Sequence, residues 1–206
     1  MIDSLIELNK QLQKKTSDEV LLWALSNSKK PIITTNFGPY SASLLHAVTR
    51  VFPNIPVIWC DSGYNTKETY QFAQKTTELL GLNLKIYTPK YTVAYREASG
   101  GIPDASHPKF SNFVEEVKLH PLQRAFDDFQ PDLWFANIRR SQTDFRSELQ
   151  ILSKSRRDIL KISPFVYLED ADLAKYLTTH NLENEMRYFD PTKTSIKSEC
   201  GLHLSL

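Results

Sequence analysis

Apolar and polar positions along this chain follow two periods that take turns. Short apolar runs at residues 32–35, 55–60, 84–88, 133–138 and 159–162 are each bounded by turn-forming residues. Runs of this length, apolar on both faces, predict buried parallel strands. Between them, residues 41–51, 66–80, 111–129 and about 168–180 repeat apolar positions at helical spacing. Thr16-Ser17-Asp18-Glu19 has the form of a capping box that opens a helix through about Asn27, and Lys30-Pro31 stops it. The residues before Thr16 read as an amphipathic, polar stretch. Strand then helix, repeated, predicts an α/β fold with a doubly wound, mostly parallel sheet and helices on both faces. Two segments break the rhythm. Residues 99–108 read as a flexible loop rich in Gly and Pro, and residues 190–206 carry no periodicity. The expected organisation is one α/β domain over residues 1–189 and a mobile tail over 190–206.

Composition narrows the classes. A chain of 206 residues is long enough for one domain with a sizeable core and hardly enough for two. With 41% hydrophobic and 24% charged residues it is expected to fold. A formal net charge of +1 gives no case for a nucleic-acid or membrane partner, so any anion site must come from local clustering of Arg and Lys. No window approaches the ~20 apolar residues of a membrane span, and no early apolar run has the form of a signal peptide. Two cysteines, Cys60 and Cys200, are too few for a disulfide scaffold. The expected compartment is a reducing cytoplasm.

In parallel sheets ligands bind beyond the carboxyl ends of the strands, so the residues there are the candidates. After the first strand, Thr34-Thr35-Asn36-Phe37-Gly38 supplies hydroxyls, a glycine and an approaching helix N-terminus, the parts of an anion cradle or of an ordinary strand–helix turn. After the second, Cys60-Asp61-Ser62-Gly63-Tyr64 offers Asp61 as a hydrogen-bond acceptor for a ribose or adenine amino group, or as a helix cap. Cys60 ends an apolar strand and reads as core. After the fourth, Arg139-Arg140-Ser141-Gln142-Thr143-Asp144-Phe145-Arg146 gathers guanidinium groups suited to phosphate or sulfate. Lys118 and Arg124 could add charge from a neighbouring helix. Arg156 and Arg157 precede the fifth strand, at the opposite end of the sheet, and read as solvated surface. Near the end of the chain, Lys197-Ser198-Glu199-Cys200-Gly201-Leu202-His203 places a thiol beside a glycine. The thiolate is the reactive form, and nearby cations lower its pKa.

Together these segments resemble the phosphoadenylyl-sulfate (PAPS) reductase family, in a short variant without iron–sulfur cysteines. The similarity runs over residues 31–162 and resumes at the tail. Glu199-Cys200-Gly201-Leu202-His203 matches the family's signature, and Thr34 to Gly38 is similar to its modified phosphate loop. Asp61-Ser62-Gly63-Tyr64 with Glu68 and Tyr70 matches the next motif, and Lys118, Pro121 and Arg124 a third. Arg139-Arg140, Gln142 and Arg146 match the arginine motif, with Asn137 and Thr143 in place of the usual Gly and Ser. A second departure is length: only about twenty residues, 181–198, separate the last helix from the tail motif, where many members carry a longer substrate loop.

The resemblance implies an adenine nucleotide alpha-hydrolase-like fold and a two-step reaction. Cys200 attacks the sulfur of PAPS and expels adenosine 3′,5′-bisphosphate, and thioredoxin or glutaredoxin then releases sulfite. It implies no bound cofactor or metal, since a [4Fe–4S] cluster needs about four cysteines. Substrate contacts are expected from Thr34 to Gly38, Asp61, Ser62, Gly63, Lys118, Arg139, Arg140, Gln142, Arg146, Glu199 and His203. A homodimer is left open. Three rival readings stand beside it: a cluster-free reductase of adenylyl sulfate (APS), an ATP-dependent adenylylating sulfur-transfer enzyme of the same superfold, and a nucleotide-binding regulator. The adenylylating enzymes share an SGGxDS loop, which is absent here, where Phe37 and Pro39 flank Gly38. The tail is expected to close over bound substrate, because Cys200 must meet first a buried sulfur and then a protein thiol.

Overall fold

The computed structural model describes residues 2–193. Glu199, Cys200 and His203, and most of the expected tail, lie outside the described residues. The helices are α1 (Ile2–Leu12), α2 (Ser17–Ser26), α3 (Ser41–Val51), α4 (Lys67–Leu80), α5 (Val93–Ala98), α6 (Phe110–Val114), α7 (His120–Phe129) and α8 (Asp170–Thr179). The strands are β1 (Pro31–Thr35), β2 (Pro56–Cys60), β3 (Asn83–Tyr87), β4 (Leu133–Phe135), β5 (Leu152–Lys154) and β6 (Leu160–Ile162). They form one sheet in the order β3-β2-β1-β4-β6-β5. All pairings are parallel except β5 with β6.

Alternation along the strands splits the core in two. Ile33, Val57, Trp59, Leu133 and Phe135 pack into one cluster with side chains of α2, α3, α4 and α8. Ile32, Ile58 and Trp134, the neighbours of those residues, pack with Leu122, Ala125 and Phe126 of α7 into the other. Successive side chains of a strand point to opposite faces, so both faces must be covered by helices. That is the doubly wound arrangement expected from the sequence.

Three elements depart from expectation. The polar stretch at the start is α1, which buries Leu12 and turns Asn9 onto β5. Asn9 Nδ2 donates to the Leu152 carbonyl at 3.0 Å and its Oδ1 accepts from the Leu152 amide at 2.8 Å. It thereby occupies part of the exposed sheet edge as a partner strand would. β5 itself was not expected. It spans three residues and joins β6 through a tight turn at Asp158, whose φ is 62°. Arg157 lies in that turn and pairs with Asp127 at 2.8 Å, as surface. Third, the helix expected over 111–129 is broken into α6, a π-helical turn over Glu115–Leu119, and α7. Pro121, in the first turn of α7, has no amide hydrogen to continue the ladder, and a wider turn accommodates it. Lys118 sits on that turn with its side chain buried.

Away from the strand ends, His46 of α3 meets α8. Its Nδ1 is 2.9 Å from the Tyr176 hydroxyl and its ring lies 4.6 Å from that of His180. Burial, then the charges of His180 and Arg50, hold its pKa below the ordinary histidine value. A histidine that resists protonation when folded stabilises the protein above its unfolded pKa, and the contribution is lost as pH falls towards the folded value. His46→Phe should therefore cost stability near pH ~8 and progressively less below pH ~6.5. Chemical unfolding of both proteins across that range checks it, and a pH-independent difference would contradict it.

Candidate active site

The strand order runs outward from β1 in both directions, to β2 and β3 on one side and to β4 and β6 on the other. At this reversal the loops leaving β1 and β4 part and open a crevice. A cleft of about 250 Å³ lies there, near the lower end of small-molecule sites. Thr34, Thr35 and Asn36 from the end of β1 line it, with Ser62 after β2. Lys118 enters from the π-helical turn, and Arg139, Gln142 and Arg146 from the segment after β4. The sequence-predicted residues from four separate segments thus share one space.

Other candidates do different work. Phe37 lies in the core, with its ring edge-on to Trp59 at 5.0 Å and to Phe72 at 6.4 Å. The loop around it partly satisfies itself: the Phe37 amide donates to Thr35 Oγ1 and the Gly38 amide to Asn36 Oδ1, both at 3.0 Å. Gly38 is favoured by a close approach, since a Cβ there would lie 3.0 Å from the Tyr188 ring, which would have to give way. Asp61 lies beside the cleft and accepts from the Gly63 amide, Asn65 Nδ2 and the Tyr70 hydroxyl at 2.8–3.0 Å. Gly63 takes a φ of 83° in that turn. Arg140 turns away, its guanidinium 5.3 Å from the Tyr167 ring. Arg124 donates to the Thr88 carbonyl and stacks on Tyr87.

The arginines are built in. Arg139 is 4% exposed, donates Nη2 to Asp170 and lies 5.0 Å over the Tyr40 ring. Its Nε and Nη1 are buried with no hydrogen-bond partner among the described residues. Buried donors without acceptors are costly, so this guanidinium is suited to receive an anion. Gln142 Oε1 accepts from the Arg139 amide at 3.0 Å and from Arg146 Nη1 at 2.5 Å, tying the two arginine positions together. Ser41, in the first turn of α3, lines the same cleft with a buried hydroxyl that has no hydrogen-bond partner among the described residues.

Sequence reasoning missed one wall. Residues 181–193 run without helix or strand from the end of α8 across the cleft mouth. Glu183 pairs with Lys75, Arg187 with Glu68 at 3.5 Å, and Asn184 Oδ1 accepts from the Tyr40 amide at 2.7 Å. Tyr188, Asp190 and Lys193 of this strap line the cleft. Pro191 and Thr192 are buried, and Asp190 is half-buried with its side chain 5% exposed. The contacts are tertiary, and no local pattern announces them. Asn65 was also missed; its place two residues after Gly63 was the available signal.

Cys60 packs against the second core cluster, as expected, and also borders the cleft. Burial pushes its thiol up to about 12, against the pull of Lys118 and Arg124. It is therefore a thiol and not a thiolate at neutral pH. Among the described residues no three His, Cys, Asp or Glu side chains converge as a metal set, and no helix is long and apolar enough to cross a membrane.

The family model described as the phosphoadenosine phosphosulfate reductase domain matches residues 30–190. A phosphoadenosine 5′-phosphosulfate reductase of Synechococcus sp. is 33% identical, over 99% of this chain and 99% of its own length. One from Xanthomonas campestris pv. campestris is 34% identical, over 98% and 93%. The crystal structure of PAPS reductase from Candida auris, a phosphate complex, superposes with a TM-score of 0.76 at 23% identity, covering 88% of this chain and 87% of that one.

Proposed function

This chain belongs to the phosphoadenosine phosphosulfate reductase family, and from that premise we propose that it reduces PAPS to sulfite and adenosine 3′,5′-bisphosphate with Cys200 as nucleophile. The observation that carries the reading is the cleft at the strand-order reversal, where Lys118 from the π-helical turn and Arg139 and Arg146 from the segment after β4 reach one space. Phosphate and sulfate oxygens match guanidinium forks, and cations around a leaving phosphate stabilise the charge it acquires. The Ser41 hydroxyl adds a donor to the same cleft.

The Cys200 thiolate attacks the sulfur of PAPS. The S–O bond breaks, its electron pair leaves on the bisphosphate oxygen, and an S-sulfo-cysteine remains. A thiolate of thioredoxin or glutaredoxin then attacks Cys200 Sγ, and sulfite departs with the electron pair of the S–S bond. The donor's second thiol resolves the mixed disulfide, so the dithiol supplies both electrons. Cys60, held as a neutral thiol, is not the nucleophile. Two cysteines cannot supply the ligands of a [4Fe–4S] cluster in one chain, which favours PAPS over APS. The reaction suits the cytoplasm, where dithiol donors are kept reduced. The thiol-bearing tail, within the expected 190–206, would close over bound substrate and reopen to the donor.

The test is sulfite release from PAPS and from APS, each with a dithiol donor, with and without ATP. Release from PAPS, independent of ATP, is expected. Release from APS alone would assign the other substrate, and a requirement for ATP would assign the chain to adenylylating sulfur transfer.

A further inference from the structure

The strap is fastened to the body at one buried polar cluster. Lys118 Nζ pairs with Asp190 Oδ2, and their side chains are 10% and 5% exposed. Thr192, 3% exposed, accepts from Lys118 Nζ at 3.2 Å and donates its hydroxyl to Asp190 Oδ1 at 2.6 Å. The Thr192 amide donates to the same oxygen at 3.0 Å, and the Tyr188 hydroxyl reaches Asp190 Oδ2 at 3.3 Å. Burial alone would raise the Asp190 carboxyl, but Lys118 and Thr192 outweigh it and hold its pKa below the usual range. The Arg139–Asp170 pair differs, since its acid is 64% exposed. A pair buried on both sides, with its remaining valences satisfied, serves register better than stability.

We infer that Asp190 is a positioning residue that, through its buried pair with Lys118, fixes the point from which the thiol-bearing segment departs and holds Lys193 in the cleft wall. This rests on the reading of Cys200 as nucleophile. Cys200 follows Thr192 by eight residues, which bounds the reach of its backbone from the clamp to about 29 Å. With the clamp open back to Asn184, sixteen residues intervene and the bound doubles. Treated as ideal tethers, the two lengths differ in effective thiol concentration by only about threefold. A larger loss of turnover therefore reports orientation and not reach. The pair also keeps a carboxylate beside Lys118, so its removal leaves the cleft more cationic and does not weaken anion binding.

Asp190→Asn and Thr192→Val should be compared with the parent chain in three measurements. These are kcat and KM for sulfite release, calorimetric affinity for adenosine 3′,5′-bisphosphate, and the rate of tryptic cleavage after Lys193. Asp190→Asn should lower kcat more than tenfold, with KM and bisphosphate affinity within threefold of the parent or tighter. Cleavage after Lys193 should accelerate at least tenfold. Thr192→Val keeps both charges and should move the same quantities in the same directions by less; it carries the test if Asp190→Asn does not fold. Unchanged kcat and cleavage would overturn the inference. So would a rise in KM matching the fall in kcat, which would make Asp190 a ligand contact. If the parent chain releases no sulfite from PAPS, the reading of the reaction fails, while the cleavage measurement still decides whether the clamp holds.

Discussion

Cys200→Ser is expected to lower sulfite release by at least about 10³-fold, because a hydroxyl is not ionised at neutral pH and the covalent step has no other nucleophile. Binding of adenosine 3′,5′-bisphosphate should survive, since the cationic groups that line the cleft, Lys118, Arg139, Arg146 and Lys193, are left in place. Cys60→Ser separates the two thiols. Cys60 borders the cleft, yet burial keeps it protonated up to about 12, so its loss should leave substantial activity. Folded but inactive Cys60→Ser would break the single-thiol mechanism. A Cys60→Ser chain with normal kcat and raised KM would mean that the side chain shapes the cleft floor without reacting.

Arg139→Ala and Arg146→Ala should each cost about 1.5–3 kcal/mol in binding or rate, the range for a hydrogen bond to a charged group. That corresponds to roughly ten- to a hundredfold. Arg139 is expected at the upper end, because two of its nitrogens are buried and unpartnered without ligand. Its ion pair with Asp170 contributes little to stability, since that carboxylate is 64% exposed. The loss should therefore appear in kcat/KM and not in the unfolding midpoint. Arg140, stacked on Tyr167 outside the cleft lining, is the internal control, and its Ala variant should stay within about threefold of the parent. Equal effects at Arg139 and Arg140 would remove the orientation argument. Parent-like kinetics at both Arg139 and Arg146 would take the arginines out of the site.

The inner strands were legible because β1, β2 and β4 are apolar runs closed by turn residues, with β-branched and aromatic residues on both faces; the edge strand β3, expected to be buried, instead leaves Lys85 and Ile86 exposed. The capping box at Thr16 and Glu19 was legible for a similar reason: the code is local, and both of its hydrogen bonds are present. β5 was not, since three residues carry no period and its pairing with β6 depends on a turn at Asp158. The break at the π-helical turn had a local sign in Pro121, but a proline is equally welcome at a helix start, so the sign was ambiguous. Of the site, the groups at strand ends could be found because the parallel architecture tells where to look. Phe37 shows the limit of that method: it stands in the right loop, but its ring fills the core beside Trp59. The strap wall was invisible for a different reason. Lys118 and Asp190 are 72 residues apart, and nothing in either neighbourhood names the other. Buried ion pairs across such separations become visible only when the chain is folded.

The central claim, that one thiol takes the sulfo group from PAPS, is tested most directly by a single turnover without donor. The chain is mixed with one equivalent of PAPS, quenched in acid, digested and mapped by mass spectrometry, while released nucleotide is counted. One adenosine 3′,5′-bisphosphate per chain is expected, with an S-sulfo group on the peptide holding Cys200 that is discharged as sulfite when thioredoxin or glutaredoxin is added. An S-sulfo group on Cys60, or nucleotide release with no modified cysteine, would contradict it.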